Sequence, residues 1–250
     1  RTRPSKTSHL RRWHEQVFES QYDRSVSNGL LSHSSGLQGS LFGGGPLRLS
    51  PLKASIRHTD LDDDCRIDHV AGWVAGADDL FLQLLEALPW RSHRRWMVDH
   101  EVLEPRLSTS ISKPSAPLRS MAGALTAHYR RGYVAAWANL YRNGRDGVAW
   151  HGDRHRPGSL HNDVALISTG GPRTFRIRPR GGGTSLAWTL TAGDLLVMCG
   201  PVQQRFEHCV PKASSAGPRI SVAFRCPRGR EFDQLVHPGP SGPRRLDHRM

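Results

Sequence analysis

The second half of the chain is a succession of short strand-like segments, and this succession limits the possible folds more than any other feature. Runs of five to eight apolar, β-branched and aromatic residues are separated by glycine-rich turn signals such as Gly170-Gly171-Pro172 and Gly181-Gly182-Gly183. The predicted strands are VAAWANLY (134–141), DVALIST (163–169), TFRIR (174–178), SLAWTL (185–190), DLLVMCG (194–200), QRFEH (204–208) and RISVAFR (219–225). Many short strands with tight turns indicate a β-sandwich or barrel.

Two helices are predicted before these strands. Residues 77–88 have acidic residues in the first turn and a following proline, and residues 115–130 begin with Ser115 as N-cap and Pro117 in the first turn. Their apolar stripes are Leu80, Phe81, Leu84, Leu85 and Leu88 in the first helix, and Leu118, Met121, Leu125 and Tyr129 in the second. Helices followed by strands predict an α+β fold, with a jelly-roll (double-stranded β-helix) core backed by N-terminal helices.

The composition of the ends differs from that of the middle. Residues 1–36 are rich in Ser, Arg and His and are predicted to be a disordered leader, residues 37–54 a linker, and residues 227–250 a flexible basic tail. The predicted folded domain is 55–226. The four cysteines form no C-x-x-C pair, and no apolar run is long enough to span a membrane. We therefore expect a cytoplasmic, monomeric protein with reduced thiols.

The net charge is +13, of which +8 belongs to residues 37–226, and arginine greatly outnumbers lysine. A basic, arginine-rich domain favours a polyanionic partner, that is, DNA or RNA. GC-rich coding sequence explains the same arginine content equally well, so the charge alone does not identify a nucleic-acid-binding protein.

Three residues form a candidate metal site. His151 and Asp153 are two residues apart, so on an extended segment both side chains point to one face, and His208 lies several strands later. Two imidazoles and one carboxylate make the facial triad with which non-heme Fe(II) activates dioxygen. The alternatives are a turn role for Asp153 and a surface position for His208.

Four further residues form a candidate anion site. Arg219 and Arg225 are six apart, hence on one face of the last strand, and Asn139 and Tyr141 share a face of the first. A buried strand seldom carries two inward arginines unless anions neutralise them. An outward, solvated arginine pair is the alternative.

Taken in order, these motifs resemble the AlkB family of Fe(II)/2-oxoglutarate dioxygenases. The matching elements are Asn139-Leu140-Tyr141, Trp150-His151-Gly152-Asp153, Gly193-Asp194-Leu195, Glu207-His208 and the segment from Pro218 to Arg225. The resemblance extends from Trp73 to Arg225 and makes 55–226 the dioxygenase domain.

The resemblance implies Fe(II) as metal, 2-oxoglutarate as co-substrate and dioxygen as oxidant. His151, Asp153 and His208 would bind iron, while Asn139, Tyr141, Arg219 and Arg225 would hold 2-oxoglutarate. The implied reaction is oxidative demethylation of alkylated bases such as N1-methyladenine or N3-methylcytosine, which is direct DNA repair.

The sequence departs from the family pattern at three positions. Ser221 and Ala223 stand where the family often has Asn and Thr, and His155 replaces an acid that reads the damaged base in several members. Two alternatives to the implied reaction stay open. One is a 2-oxoglutarate oxygenase acting on RNA, protein or a small molecule, and the other is a non-catalytic nucleic-acid-binding domain.

The segment 90–107 corresponds to the family's lid over an extruded base. Trp96, Arg94, Arg95 and His155 are the candidate substrate-binding residues, with single-stranded nucleic acid favoured. A hydrophobic hairpin with a basic outer face is the alternative. Four arginines, Arg173, Arg176, Arg178 and Arg180, form a second basic cluster, which either contacts the nucleic-acid backbone or is a solvated strand face.

Residues 38–42 (QGSLF) resemble the peptide by which bacterial repair and replication proteins dock on the sliding clamp. The stretch from Gln38 to Phe42 precedes the folded domain, as a docking peptide should. We therefore expect a possible clamp interaction there.

Overall fold

The computed structural model describes residues 46–97, 100–153 and 163–226, without the side chains of residues 95–97 and 100. The helices are α1 (Ala77–Ala87), α2 (Ala116–Tyr129) and α3 (Val202–Arg205), and a 3-10 turn covers Leu52–Ala54. The strands are β1 (Arg48–Leu49), β2 (Arg57–Asp60), β3 (Arg66–Val70), β4 (Val74–Ala75), β5 (Arg91–Met97), β6 (His100–Ser110), β7 (Val134–Tyr141), β8 (Val148–His151), β9 (Val164–Gly170), β10 (Arg173–Pro179), β11 (Leu186–Leu190), β12 (Leu195–Cys199), β13 (Phe206–Val210) and β14 (Arg219–Arg225).

Two antiparallel sheets form the core. The major sheet has the order β2-β3-β12-β9-β14-β7-β6-β5, and the minor sheet has the order β11-β10-β13-β8. From β7 to β14 the chain passes repeatedly between the sheets: β7, β9, β12 and β14 lie in the major sheet, whereas β8, β10, β11 and β13 lie in the minor one. This winding is a double-stranded β-helix, so the predicted jelly-roll core is confirmed.

The major sheet is covered on both faces, which explains why its central strands are continuously apolar. All five residues of β12 are buried, as are six of the seven in β14. Along β14, Ile220, Val222 and Phe224 pack into the cluster that includes the helices, while Ala223 packs into the cluster between the two sheets. The period-2 alternation of a strand therefore divides β14 between a structural face and an inner face.

The two predicted helices are present and use the predicted stripes. Leu80, Leu84 and Phe81 of α1 and Met121 and Leu125 of α2 are buried in the helix-facing core. Ser115 is at the N-cap position of α2, but its side chain makes no capping hydrogen bond. Burial of the apolar stripe against the sheet therefore stabilises this helix more than its cap does.

Some elements differ from the sequence-based expectation. Residues 204 and 205, predicted as strand, belong to α3, and β13 begins at Phe206. The strands β2 and β3 were not predicted, because the polar sequence of β2 (RHTD) has no apolar alternation. Pairing with β3 accounts for this strand, since a sheet margin does not need an apolar residue on each face.

One glycine turn shapes the start of β12. Gly193 has φ +85°, and a Cβ at this position would collide with the backbone carbonyl of Val74. Its carbonyl accepts a hydrogen bond from the Val74 N–H (3.0 Å), and its own N–H donates to Ser168 O (2.8 Å). The turn thus joins β4 and β9 closely enough that only glycine fits.

Among the described residues, no helix has both the length and the apolar character needed to cross a bilayer.

Candidate metal and co-substrate site

The three candidate metal ligands meet at the end of the minor sheet. His151 is the last residue of β8 and is paired in register with His208 of β13, which places the two ring centroids 4.4 Å apart. Asp153 follows two residues later. One potential ligand atom from each of the three side chains lies within 4.8 Å of the others. This is the spacing needed for three ligands of a single ion, on an edge strand and its neighbour.

Neighbouring groups orient these ligands. His151 Nδ1 is 2.8 Å from the Ala149 carbonyl oxygen, so this nitrogen carries the proton and Nε2 is left for a metal. Arg225 donates to Asp153 Oδ2 (2.7 Å), and Asp153 Oδ1 faces His151 Nε2 at 3.8 Å. His151 and Asp153 thus each have one atom held by the protein and another directed towards the other ligand.

The electrostatics of His208 favour metal binding. This imidazole is only 7% exposed and stacks on Phe175 at 5.4 Å. Burial, with the nearby His151 as a smaller cause, lowers the pKa of His208 to about 4. The imidazole is therefore neutral near pH 7, and no proton has to leave before its lone pair can bind a cation.

A buried cation lies near this centre, on the inner face of β14. Arg219 is 1% exposed; its Nε donates to Ser168 Oγ (2.8 Å), whereas its Nη1 has no hydrogen-bond partner. Burial lowers the pKa of Arg219 to about 10, which still leaves it charged. An unpartnered guanidinium nitrogen is costly in the interior, and a ligand carboxylate would satisfy it.

The other candidate co-substrate residues are on neighbouring strand positions. Tyr141 is opposite Arg219, and Asn139 is opposite Ser221. Asn139 Oδ1 accepts a hydrogen bond from Arg106 Nε (3.1 Å). Arg219 and Tyr141 thus lie together, but Arg225 is paired with the metal-ligand candidate Asp153 rather than with them.

The donor set fits Fe(II) and 2-oxoglutarate. Two imidazoles and one carboxylate would supply three ligand atoms to a single ion, which is the donor set of a non-heme iron centre. The orphaned Nη1 of Arg219 provides a fixed cation for one carboxylate of a dianion. The roles of the individual residues stay predictions drawn from this geometry.

The predicted basic cluster of four arginines on and after β10 includes one residue, Arg173, that is buried. Arg173 is 3% exposed and donates to the carbonyl oxygens of Asn143 (3.1 Å), Asp146 (2.7 Å) and Pro211 (2.7 Å), whereas Arg176 is exposed. Residue parity explains the difference, because Arg173 shares the inner face of β10 with Phe175 and Ile177.

Arg173 and Arg219 flank the ring of Tyr141, each guanidinium carbon being 5.4 Å from the ring centroid. The phenol ring is therefore close to two buried cations. The apolar positions around Arg173 were the signal in the sequence that could have placed this arginine inside.

The candidate substrate-binding residues are only partly described. β5 and β6 form an antiparallel hairpin at the margin of the major sheet, and Arg94 is exposed there, 3.3 Å from Glu101. The side chains of Arg95 and Trp96, and the whole of His155, lie outside the described residues, as does the predicted clamp peptide 38–42. Trp90 packs against the core and donates to Leu85 O (3.0 Å).

A separate cavity of about 380 Å³ lies beside the loop from Asp60 to Arg66. Its lining includes the carboxylates of Asp60, Asp62, Asp63, Asp64 and Asp163, and none of the three candidate metal ligands. A carboxylate-rich lining repels a dicarboxylate, so the arginine-flanked region beside β14 is the better co-substrate site.

The part of the chain that is similar to known proteins contains the candidate metal and co-substrate residues. Residues 108–225 match the family described as the 2OG-Fe(II) oxygenase superfamily. The human protein named alpha-ketoglutarate-dependent dioxygenase alkB homolog 3 is 28% identical over 194 residues, which cover 68% of this chain and 65% of the relative. The bovine protein of the same name is 28% identical over 191 residues (66% and 64%). The chain thus spans just under two thirds of the length of these relatives.

Among solved structures, a Pseudomonas putida prolyl-4-hydroxylase aligns with a TM-score of 0.47 at 15% identity. The alignment covers 65% of this chain and 93% of that one.

Proposed function

Because residues 108–225 match the 2OG-Fe(II) oxygenase superfamily and the chain is 28% identical to human alkB homolog 3 over 194 residues, we propose that it is an AlkB-like oxygenase that oxidatively demethylates alkylated bases in nucleic acid. The observation that carries the oxygenase part is the convergence of His151, Asp153 and His208 beside the buried Arg219, whose Nη1 lacks a partner. The family implies Fe(II), 2-oxoglutarate and dioxygen as the reactants at such a site.

The chain's own residues have distinct tasks in this proposal. His151, Asp153 and His208 would hold the iron, which when bound couples oxidative decarboxylation of 2-oxoglutarate to hydroxylation of a nearby C–H bond. Arg219 binds one carboxylate of the co-substrate, with Tyr141 beside it. Arg225 orients the Asp153 carboxylate through its 2.7 Å hydrogen bond.

The proposed reaction balances as follows. One oxygen atom of dioxygen ends in succinate, after loss of carbon dioxide from 2-oxoglutarate, and the other enters the N-methyl group of the base. The N-hydroxymethyl product then breaks its C–N bond, releases formaldehyde and leaves the base with its original nitrogen. No external reductant is required, because 2-oxoglutarate supplies the other two electrons.

Two features support nucleic acid as the substrate class. Residues 55–226 alone hold 22 Lys/Arg and 16 Asp/Glu, a net charge of +6, so the folded domain itself attracts a polyanion. The β5–β6 hairpin displays Arg91 and Arg94 as exposed side chains at the margin of the major sheet. With the AlkB resemblance, these features favour a strand of DNA or RNA over a neutral small molecule.

The test is formaldehyde release from oligonucleotides that contain N1-methyladenine or N3-methylcytosine, in the presence of Fe(II) and 2-oxoglutarate. Single-stranded DNA, duplex DNA and RNA are compared, with the His151→Ala variant as the control that removes a metal ligand. We expect formaldehyde and succinate in equal amounts from the wild type and neither from the variant. Succinate without formaldehyde on every methylated oligonucleotide would redirect the proposal to a protein or small-molecule substrate.

A further inference from the structure

The loop that carries Asp153 is held by groups that lie outside the set of candidate ligands. Gln203 is only 2% exposed, and its side-chain Oε1 accepts a hydrogen bond from the backbone N–H of Asp153 (3.0 Å). The Nε2 of the same amide points to Met198 Sδ at 3.1 Å. Only this amide orientation satisfies the Asp153 N–H, because a backbone donor needs the oxygen and not the nitrogen.

Arg180 braces Gln203 from the other side. Its guanidinium donates to the carbonyl oxygens of Gln203 (Nη2, 2.8 Å) and Gln204 (Nε, 2.9 Å), both of which lie in the single turn α3. The last carbonyls of a helical turn have no partner within the turn itself, so an arginine that accepts this task fixes its position. The position of α3 in turn determines where the Gln203 side-chain amide accepts the hydrogen bond from Asp153 N–H.

Gly152 lies directly beneath this brace. A Cβ at Gly152 would collide with Arg180 Nη2 and would come within 2.8 Å of the Gln203 carbonyl oxygen. The residue between the two candidate ligands His151 and Asp153 must therefore be small for Arg180 and α3 to approach. The loop that carries Asp153 can therefore pack closely against α3 because residue 152 is a glycine and Arg180 contacts α3.

The loop needs such support because of its place in the sheet. β8 is the edge strand of the minor sheet and is paired on one side only, with β13. β8 ends at His151, so Asp153 is beyond the last paired residue and the ladder cannot orient it. Arg225 holds the Asp153 carboxylate at Oδ2, and Gln203 holds the backbone of the same residue.

We propose that Gln203, braced by Arg180, is a positioning residue that sets the Asp153 carboxylate in the geometry required for metal binding. The inference rests on the proposed function for the presence of a divalent metal at His151, Asp153 and His208. It concerns how tightly that metal is held and is independent of the substrate. Groups that orient a ligand from outside typically change metal affinity by about 10- to 100-fold when they are removed.

The experiment titrates the full metal-free chain with Co²⁺ and records the visible absorption of the bound ion and its dissociation constant. In Gln203→Met, the side chain keeps its size but loses the acceptor, and we expect a dissociation constant about 10-fold higher. Gln204→Met is the matched control, since it removes the exposed amide of the neighbouring residue, and it should stay within twofold of the wild type. Thermal unfolding of the metal-free variants establishes that each is folded.

Two further pairs keep the test decisive if Gln203→Met fails to fold. Arg180→Met removes the brace from an exposed position, whereas Arg176→Met removes an exposed arginine of the same region that donates to Ser185 Oγ. We expect weaker Co²⁺ binding only for the first. Gly152→Ala should also weaken binding, and Gly123→Ala should not, because a Cβ at Gly123 meets nothing within 4 Å.

The outcomes separate the two proposals. Wild-type affinity in folded Gln203→Met and Arg180→Met variants would overturn the positioning role while leaving the dioxygenase proposal intact. Failure of the wild-type chain to bind Co²⁺ in a His151-dependent manner would overturn both. Weaker binding in all the variants, controls included, would also refute the positioning role, because it would show a general loss of stability.

Discussion

The two buried arginines that flank Tyr141 should respond in opposite ways to replacement by methionine. Arg219 donates from Nε to Ser168 Oγ and has an unpartnered Nη1, whereas Arg173 donates to three backbone carbonyls. We interpret the first as a cation kept for a ligand and the second as a structural clamp. The prediction is that Arg219→Met raises the stability of the ligand-free protein and that Arg173→Met lowers it.

The magnitudes follow from the contacts. Burial lowers the pKa of Arg219 from 12.5 to about 10, which corresponds to about 3 kcal/mol of unfavourable free energy for the charged form in the fold. Loss of the hydrogen bond to Ser168 costs about 1 kcal/mol, so Arg219→Met should gain about 2 kcal/mol. Arg173→Met removes the side-chain donor from the carbonyls of Asp146 and Pro211, while the Asn143 carbonyl still accepts from Asp146 N–H, so the variant should lose about 2 kcal/mol. At about 2–4 °C per kcal/mol, these are shifts of opposite sign and easily measured size.

The second measurement is the stabilisation of each variant by bound 2-oxoglutarate. Thermal unfolding is measured with a redox-inert divalent metal, with and without 2-oxoglutarate at 100 times its dissociation constant, where the wild type should gain about 2.7 kcal/mol. Loss of a buried charge pair costs at least about 2 kcal/mol, or about 30-fold in affinity, so Arg219→Met should gain less than about 1 kcal/mol at the same concentration. A ligand-free Arg219→Met variant that is less stable than the wild type, or one that keeps the full response to 2-oxoglutarate, would refute the reasoning.

Three other outcomes are expected. The pKa of His208 is about 4 in the fold and about 6.5 when unfolded, so the unfolded state binds more protons between these pH values. The free energy of unfolding of the metal-free protein should therefore fall by up to about 1.4 kcal/mol per pH unit as the pH falls from 6.5 to 4. Chemical denaturation at several pH values should show that the free energy of unfolding of His208→Gln depends less on pH. Gly193→Ala, with φ +85° and a backbone carbonyl in the way, should lower the unfolding temperature by more than Gly72→Ala, where φ is +58° but nothing lies within 4 Å, and equal shifts would contradict the steric argument. Immobilised bacterial sliding clamp should retain the wild-type chain and release the Leu41→Ala/Phe42→Ala double variant, and equal retention of the two would discard the docking peptide.

Seven strands, β7 and β9 to β14, could be located in the sequence because most of them are buried on at least one face. β7 and β14 have the bounds expected from VAAWANLY and RISVAFR, since apolar and β-branched residues recur along the whole of each. The same alternation put Arg219 and Arg225 on one face of β14 but left open whether that face is inward, and the structure shows that Arg219 is buried. The histidine and aspartate residues indicated a metal site because of their positions among the predicted strands, whereas their residue types alone did not.

The remaining features depend on contacts between distant parts of the chain. Neither β2 nor the role of Gln203 has a local signal, because a polar margin strand and a buried amide acquire their partners only in the folded protein. Charge alone groups Arg173 with the neighbouring arginines, whereas the alternation of side chains along β10 puts Arg173 on the inner face and Arg176 on the outer one. Trp90, expected to contribute to a base-binding lid, instead packs on the core, which the amphipathic sequence of the hairpin could not reveal.

The way the β5–β6 hairpin joins the sheet has an evolutionary consequence. β6 pairs with β7 through Leu107–Leu140, Ser108–Asn139, Thr109–Ala138 and Ser110–Trp137, and β5 lies one strand further out, at the margin of the sheet. Backbone pairing of this kind tolerates almost any side chain at an outer strand. Duplicated genes could therefore exchange the hairpin sequence, and with it the nucleic acid that we propose it contacts, while the strands that hold the candidate metal ligands are inherited unchanged.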